Sequence, residues 1–139
     1  QYTANAGATE CIPCGCGSEV NPTRTGCILC SAGSFAPNDG QCQPCTDNEV
    51  STDSGACECF ACAAGTEPNG SNTDCVVCSP GEFSSNFGTC QECPPNSYTS
   101  DAGADSCIPC GCGREADSTR TSCELCPMGF FSDGDGTCQ

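Results

Sequence analysis

The chain has 139 residues, of which twenty are cysteine and none is histidine, and its formal net charge is −15. With Arg24, Arg114 and Arg120 as the only cations, it lacks the basic surface that binds phosphate backbones or anionic membranes. Without histidine, Ser-His and Cys-His acyl-transfer triads are excluded, and no apolar stretch approaches the roughly 20 residues that span a bilayer.

In chain order the first signal is the C-x-x-C pair Cys11-Ile-Pro-Cys14, followed by Cys14-Gly-Cys-Gly-Ser-Glu19. The glycine three residues after the second cysteine marks a turn where positive φ is tolerated, and a short extended segment follows it. Cys27-Ile-Leu-Cys30 leads into Cys30-Ser-Ala-Gly-Ser-Phe35, then Asn38-Asp39-Gly40 turns the chain back. Cys42-Gln-Pro-Cys45 leads into Cys45-Thr-Asp-Asn-Glu-Val50, with Asn48 in place of the glycine. The same three classes return as Cys62-Ala-Ala-Gly-Thr-Glu67, Cys78-Ser-Pro-Gly-Glu-Phe83 and Cys93-Pro-Pro-Asn-Ser-Tyr98, and again as Cys110-Gly-Cys-Gly-Arg-Glu115 and Cys126-Pro-Met-Gly-Phe-Phe131. In the phenylalanine and asparagine classes the extended segment is expected to lay its aromatic residue or valine on the neighbouring disulfide. Asn86-Phe87-Gly88 and Gly134-Asp135-Gly136 repeat the return turn. No window carries a 3.6-residue apolar period long enough for a helix.

The C-x-x-C pairs start at 11, 27, 42, 59, 75, 90, 107 and 123, so modules of about 16 residues group into repeats of 48. This predicts three repeats, 1–48, 49–96 and an incomplete 97–139. Residues 1–43 and 97–139 agree at 25 of 43 positions, which makes a 96-residue superrepeat in which two kinds of unit alternate. Cys138-Gln139 copies Cys42-Gln43 and Cys90-Gln91, so the array is expected to continue beyond the sequence given. Apart from cysteine and alanine, only eighteen residues are hydrophobic. Such a set is too small to offset the conformational entropy of ordering the chain, so stability should be covalent first. Disulfides in this density imply an oxidising, extracellular compartment.

Several chemistries were weighed. Paired C-x-x-C motifs a dozen residues apart also resemble structural zinc sites, but eight pairs run in phase without a histidine. A redox C-x-x-C would need a strand-helix context that is absent. Carboxylate pairs such as Asp133 and Asp135 exist, but a thin stack of modules offers no catalytic cleft, so no enzyme and no cofactor is expected. Asp133-Gly-Asp-Gly136 has a calcium-loop flavour without the spaced ligands of an EF-hand and reads otherwise as a turn. Asn69-Gly70-Ser71 is an N-glycosylation acceptor, and the 28 serines and threonines would accommodate O-glycans.

The C-x-x-G-x-[F/Y]…G-x-C-x-x-C pattern, seen in Cys78-Ser-Pro-Gly-Glu-Phe83 through Cys90-Gln-Glu-Cys93, resembles the ephrin-receptor-like cysteine-rich repeat and the single-disulfide modules of tumour-necrosis-factor receptors. The resemblance implies that each module joins a cysteine to one about a dozen residues later. Carried over, the bonds are Cys14–Cys27, Cys30–Cys42, Cys45–Cys59, Cys62–Cys75, Cys78–Cys90, Cys93–Cys107, Cys110–Cys123 and Cys126–Cys138, and Cys11 is left for an upstream module. The receptor family's doubly bridged module has no counterpart here. Cys16, Cys57 and Cys112 stand outside this ladder. One account is a clamp, Cys16–Cys57, with Cys112 awaiting a partner further on; the other is pairing between chains. The expected fold is a small disulfide-rich, mostly short-stranded β structure, an elongated rod of tandem modules. The expected role is an extracellular structural protein, a filament, stalk or surface coat assembled from copies of itself, similar to flagellar-hair (mastigoneme) and coat proteins of protists. The alternative is the stalk of a ligand-binding or adhesive receptor.

Overall fold

The computed structural model describes residues 1–3, 7, 9–38, 40–86, 88–133 and 137–139. It comprises two compact units, Gln1–Ala61 with Pro68–Cys75 and Cys62–Glu67 with Val76–Gln139. Among the described residues there is no helix, and the strands are two or three residues long.

In the first unit β1 (Ser18–Val20) pairs with β2 (Cys27–Leu29), β3 (Ser34–Phe35) with β4 (Gln43–Pro44), and β5 (Glu49–Val50) with β6 (Phe60–Ala61), all antiparallel. The chain then passes through β7 (Thr66–Pro68) and β8 (Cys75–Val77). In the second unit β9 (Glu82–Phe83) pairs with β10 (Gln91–Glu92), β11 (Ser97–Tyr98) with β12 (Ile108–Pro109), and β13 (Arg114–Ala116) with β14 (Cys123–Leu125), again antiparallel.

Each hairpin starts from the turn that the sequence marks. Gly17, Gly33, Gly65, Gly81, Gly113 and Gly129 all have positive φ, and so do Asn48 and Asn96 in the asparagine class. At Gly17 the reason is doubled, since a Cβ there would lie 1.9 Å from the carbonyl oxygen of Gly55. The turn residue then closes its own module. Its carbonyl accepts from the N–H of the second cysteine of the next pair: Cys30 on Gly17, Cys45 on Gly33, Cys93 on Gly81, Cys110 on Asn96 and Cys126 on Gly113.

The interior is made of sulfur. Cys14, Cys30, Cys45, Cys62, Cys78, Cys93 and Cys110 are buried, each being the second member of its C-x-x-C pair. Val50 and Ala36 join them, together with the small polar residues Ser51, Ser84, Thr99 and Ser132. Serine serves here because the space left between stacked turns is narrow and lined with carbonyls. Ser84 Oγ lies within hydrogen-bond distance of the carbonyls of Thr66 and Gly88. The packing expected of the extended segments differs by class. Val50 is buried, Phe35, Phe83 and Tyr98 are half-buried, and Phe131 is 67% exposed. A two-residue strand gives a ring too little sheet to lie on, so burial depends on the next loop covering it. Ala56 and Ala104 supply that cover by bridging to Phe35 and Phe83.

Candidate functional site

Three devices hold successive modules together, and each repeats along the sequence. The first is a backbone relay. In the first unit Gly17 N–H donates to the Ala36 carbonyl (2.8 Å) and Ala36 N–H to Ala56 (3.1 Å), while Gly33 donates to Ser51 (2.8 Å) and Ser51 to Asn72 (2.9 Å). The second unit repeats both strings 48 residues on, from Gly65 to Ser84 to Ala104 and from Gly81 to Thr99 to Arg120. Each turn therefore docks on the module after it through main-chain groups that every residue type supplies.

The second device is a carboxylate bracket. Glu19 Oε2 accepts the Cys42 N–H (3.0 Å), Glu67 Oε2 the Cys90 N–H (2.9 Å) and Glu115 Oε2 the Cys138 N–H (2.9 Å). These glutamates lie 48 residues apart in sequence and carry a structural role that sequence reading left unassigned. The recurrence of glutamate five residues after Cys14, Cys62 and Cys110 was the available signal.

The third device is a side-chain-capped loop with a latch. Asn21 Oδ1 accepts the Thr25 N–H, Asn69 Oδ1 the Thr73 N–H, and Asp117 Oδ1 the N–H groups of Thr119 and Thr121. The Ser122 hydroxyl, and after it the Thr121 N–H, hold the Asp117 carboxyl well below the usual carboxylate range, at about 2. Within these loops Arg24, Asn72 and Arg120 take positive φ. Asn72 reaches the Cys45 carbonyl (2.6 Å), and Arg120 reaches the Cys93 carbonyl and lies 3.7 Å from the Glu92 carboxylate. Asn69, the glycosylation acceptor, is half-buried in its loop, with its amide nitrogen donating to Thr73 Oγ1 at 3.1 Å.

The structure joins Cys14 to Cys27, Cys30 to Cys42, Cys45 to Cys59, Cys78 to Cys90, Cys93 to Cys107, Cys110 to Cys123 and Cys126 to Cys138. Cys62 and Cys75 are disulfide-bonded as well. Cys16 joins Cys57 across 41 residues of sequence, with Cα atoms 4.9 Å apart. Cys11 and Cys112 are exposed free thiols, Cys112 Sγ lying 3.7 Å from the Asp133 carbonyl oxygen. Residues 134–136 of the calcium-loop candidate, and Asp39 and Phe87 in the earlier return turns, lie outside the described residues. Among the described residues no three His, Cys, Asp or Glu side chains converge to hold a metal ion. Also among them, no helix is long and apolar enough to cross a membrane.

Two grooves correspond to each other across the superrepeat. One, of about 430 Å³, is walled by Glu19, Asn21 and Arg24; the other, of about 220 Å³, by Glu115, Asp117 and Arg120. They follow from the bracket and latch, so they belong to the repeat itself. A third cavity, of about 280 Å³, lies along the Ser51–Glu58 loop against Phe60.

Residues 81–122, from the turn before β9 to the loop before β14, match the family model described as tyrosine-protein kinase ephrin type A/B receptor-like. No curated protein matches the chain. Many disulfides and a family of this kind suggest a place outside the cell, and such modules are not typically enzymatic. The matched segment, and a cysteine pattern that continues on both sides of it, identify the chain as one built of ephrin-receptor-like cysteine-rich repeats.

Proposed function

We propose that the chain is a length of an extracellular structural array, a stalk, surface coat or filament, in which the number of repeats sets the length and the disulfides set the stiffness. The observation that carries this reading is the backbone relay. It uses main-chain groups in a register that returns after 48 residues, so each added module offers the next the same docking edge. Spending almost every cysteine on spacing and clamping fits a load-bearing element better than a single recognition surface. Self-association of such arrays into a filament, and an N-glycan at Asn69 added before its loop closes, belong to the same reading.

The match to ephrin-receptor-like repeats favours a second reading, the stalk of a receptor that presents a ligand site elsewhere. Recombinant chains of one, two and three 96-residue superrepeats, oxidised and compared by small-angle scattering and electron microscopy, test the proposal. A maximum dimension that rises by a constant increment, with chains associating end to end or side by side, supports a filament or coat. Constant increments with strictly monomeric chains would favour the receptor stalk. Dimensions that grow as for compact globules would overturn both. Mass loss on treatment with an N-glycosidase after secretion reads out Asn69 separately.

A further inference from the structure

The cavity against Phe60 is not a product of the repeat. Its wall is the loop from Ser51 to Glu58, which leaves β5 at Val50 and re-enters β6 at Phe60, where the two residues face each other in the strand register. That loop is fixed from several sides within the first unit. Ser51 N–H is held by the Asn72 carbonyl, Gly55 N–H by the Cys30 carbonyl, the Ala56 carbonyl by Ala36 N–H, and Cys57 by its disulfide to Cys16. A concave surface pinned in this way is preorganised, so little ordering cost falls on binding.

Three groups on it are chemically expressive. Phe60 is 63% exposed, and Asp53 and Glu58 are exposed carboxylates with no ion-pair or hydrogen-bond partner among the described residues. An open aromatic ring beside two unpaired carboxylates recognises a cation, through the ring quadrupole and through charge. The corresponding positions elsewhere dismantle the set. Phe60 corresponds to Ile12 and Ile108, and Glu58 to Glu10 and Ser106, so the combination occurs once in the sequence given. Arginine and lysine differ from a free amine in reach, since their long stems let the charged head enter a cavity while the backbone stays outside.

We propose that this cavity is a docking site for an arginine or lysine side chain of a partner protein. A second copy of this chain is a poor donor. It has three arginines, of which Arg114 is committed to the Cys123 carbonyl and Arg120 to the Cys93 carbonyl. The charge of −15 draws a basic partner toward the array at long range, and the ring fixes where the side chain seats. The site goes beyond the architectural role and does not depend on whether the array is a filament or a stalk.

The test is a backbone-amide NMR titration of the oxidised chain at constant ionic strength. The probe is a short peptide with a single arginine among neutral residues, with n-butylammonium run in parallel. Saturable shifts confined to residues 51–60 are expected for the peptide. Phe60→Ile, which installs the residue found at Ile12 and Ile108, should weaken binding about threefold, as an exposed cation–π contact of roughly 0.5–1 kcal/mol requires. Asp53→Asn should weaken it as well, and Asp101→Asn, at the corresponding position in the second unit, should leave it unchanged. All these side chains are exposed, so the disulfides should form in each variant, which non-reducing peptide mapping checks. Linear shifts spread over all the carboxylates would overturn the proposal, as would Phe60→Ile binding as tightly as the parent. Equal affinity for butylammonium would also overturn it, since the site would then take free amines.

Discussion

The eight turn positions are the tightest points of the chain, and they are not equivalent. Gly17 has φ +75° and a Cβ direction blocked by Gly55, whereas Gly113 has φ +73° and open space around it. Gly113→Ala therefore meets only the left-handed strain of an L-residue, about 1–2 kcal/mol. Gly17→Ala must also push a carbonyl aside, which breaks the relay to the next module. We expect a modest fall in the denaturation midpoint for the first. For the second we expect failure to form the native disulfide pattern, read by peptide mapping. Asn48 occupies the same turn position, and its Oδ1 and Nδ2 are buried without partners. Asn48→Gly removes both orphans and the strain together, and should raise stability by about 1 kcal/mol. At Asp117 the carboxylate is stabilised in the folded loop, so its folded pKa, about 2, lies below the ordinary 3.8. The folded state then binds fewer protons than the unfolded chain in this range, and the stability it contributes is complete above pH 3.8 and lost as pH falls through 2. Asp117→Asn, the residue type found at Asn21 and Asn69, should flatten the acid limb of a pH-dependent urea midpoint between about 4 and 2 without altering it at neutral pH.

At the scale of the hairpin, the sequence shows where each strand begins and hides what it rests on. A cysteine followed three residues later by glycine or asparagine marks a positive-φ turn by local chemistry, and every such residue adopts it. The extended residues after it were legible as strands for the same reason. Ring burial was not: Phe35 and Phe131 sit at corresponding positions, yet only the first is covered, because the cover comes from Ala56, twenty-one residues on. The glutamate bracket was hidden in the same way, since Glu19 and Cys42 lie 23 residues apart and no local pattern announces an acceptor for that N–H. The free state of the phenylalanine beside the Ser51–Glu58 loop was likewise invisible, since an apolar residue in a C-x-x-C pair reads as interior. Glu67→Gln tests the bracket. The amide oxygen can still accept from Cys90 N–H, but without the negative charge that strengthens the bond. We expect the Cys90 amide to exchange several-fold faster with solvent in Glu67→Gln, and faster still in Glu67→Ala, while exchange at the Cys42 amide, bracketed by Glu19, stays as it is.

For the molecule as a whole, stability is a property of the cross-linked network, and the bonds in it are not independent. In the chain-entropy model a disulfide between residues 12 apart, as in Cys30–Cys42, contributes about 3 kcal/mol, and one spanning 41 residues, as in Cys16–Cys57, about 4. The longer bond closes a chain that is already bridged. From Cys16 the covalent path runs two residues back to Cys14 and across to Cys27. Three residues lead to Cys30 and across to Cys42, three more to Cys45 and across to Cys59, then two back to Cys57. The loop that the clamp really closes is therefore as short as the one inside a single module. Replacing both Cys16 and Cys57 by serine should cost about 3 kcal/mol, no more than losing Cys30–Cys42. Denaturant unfolding of the two double variants under oxidising conditions, with non-reducing mass to establish that each is monomeric, makes the comparison. A clamp loss clearly larger than the Cys30–Cys42 loss would mean that the module disulfides do not restrain the unfolded chain as the network requires. A clamp loss near zero would mean that Cys16 and Cys57 serve contacts other than the stability of this unit.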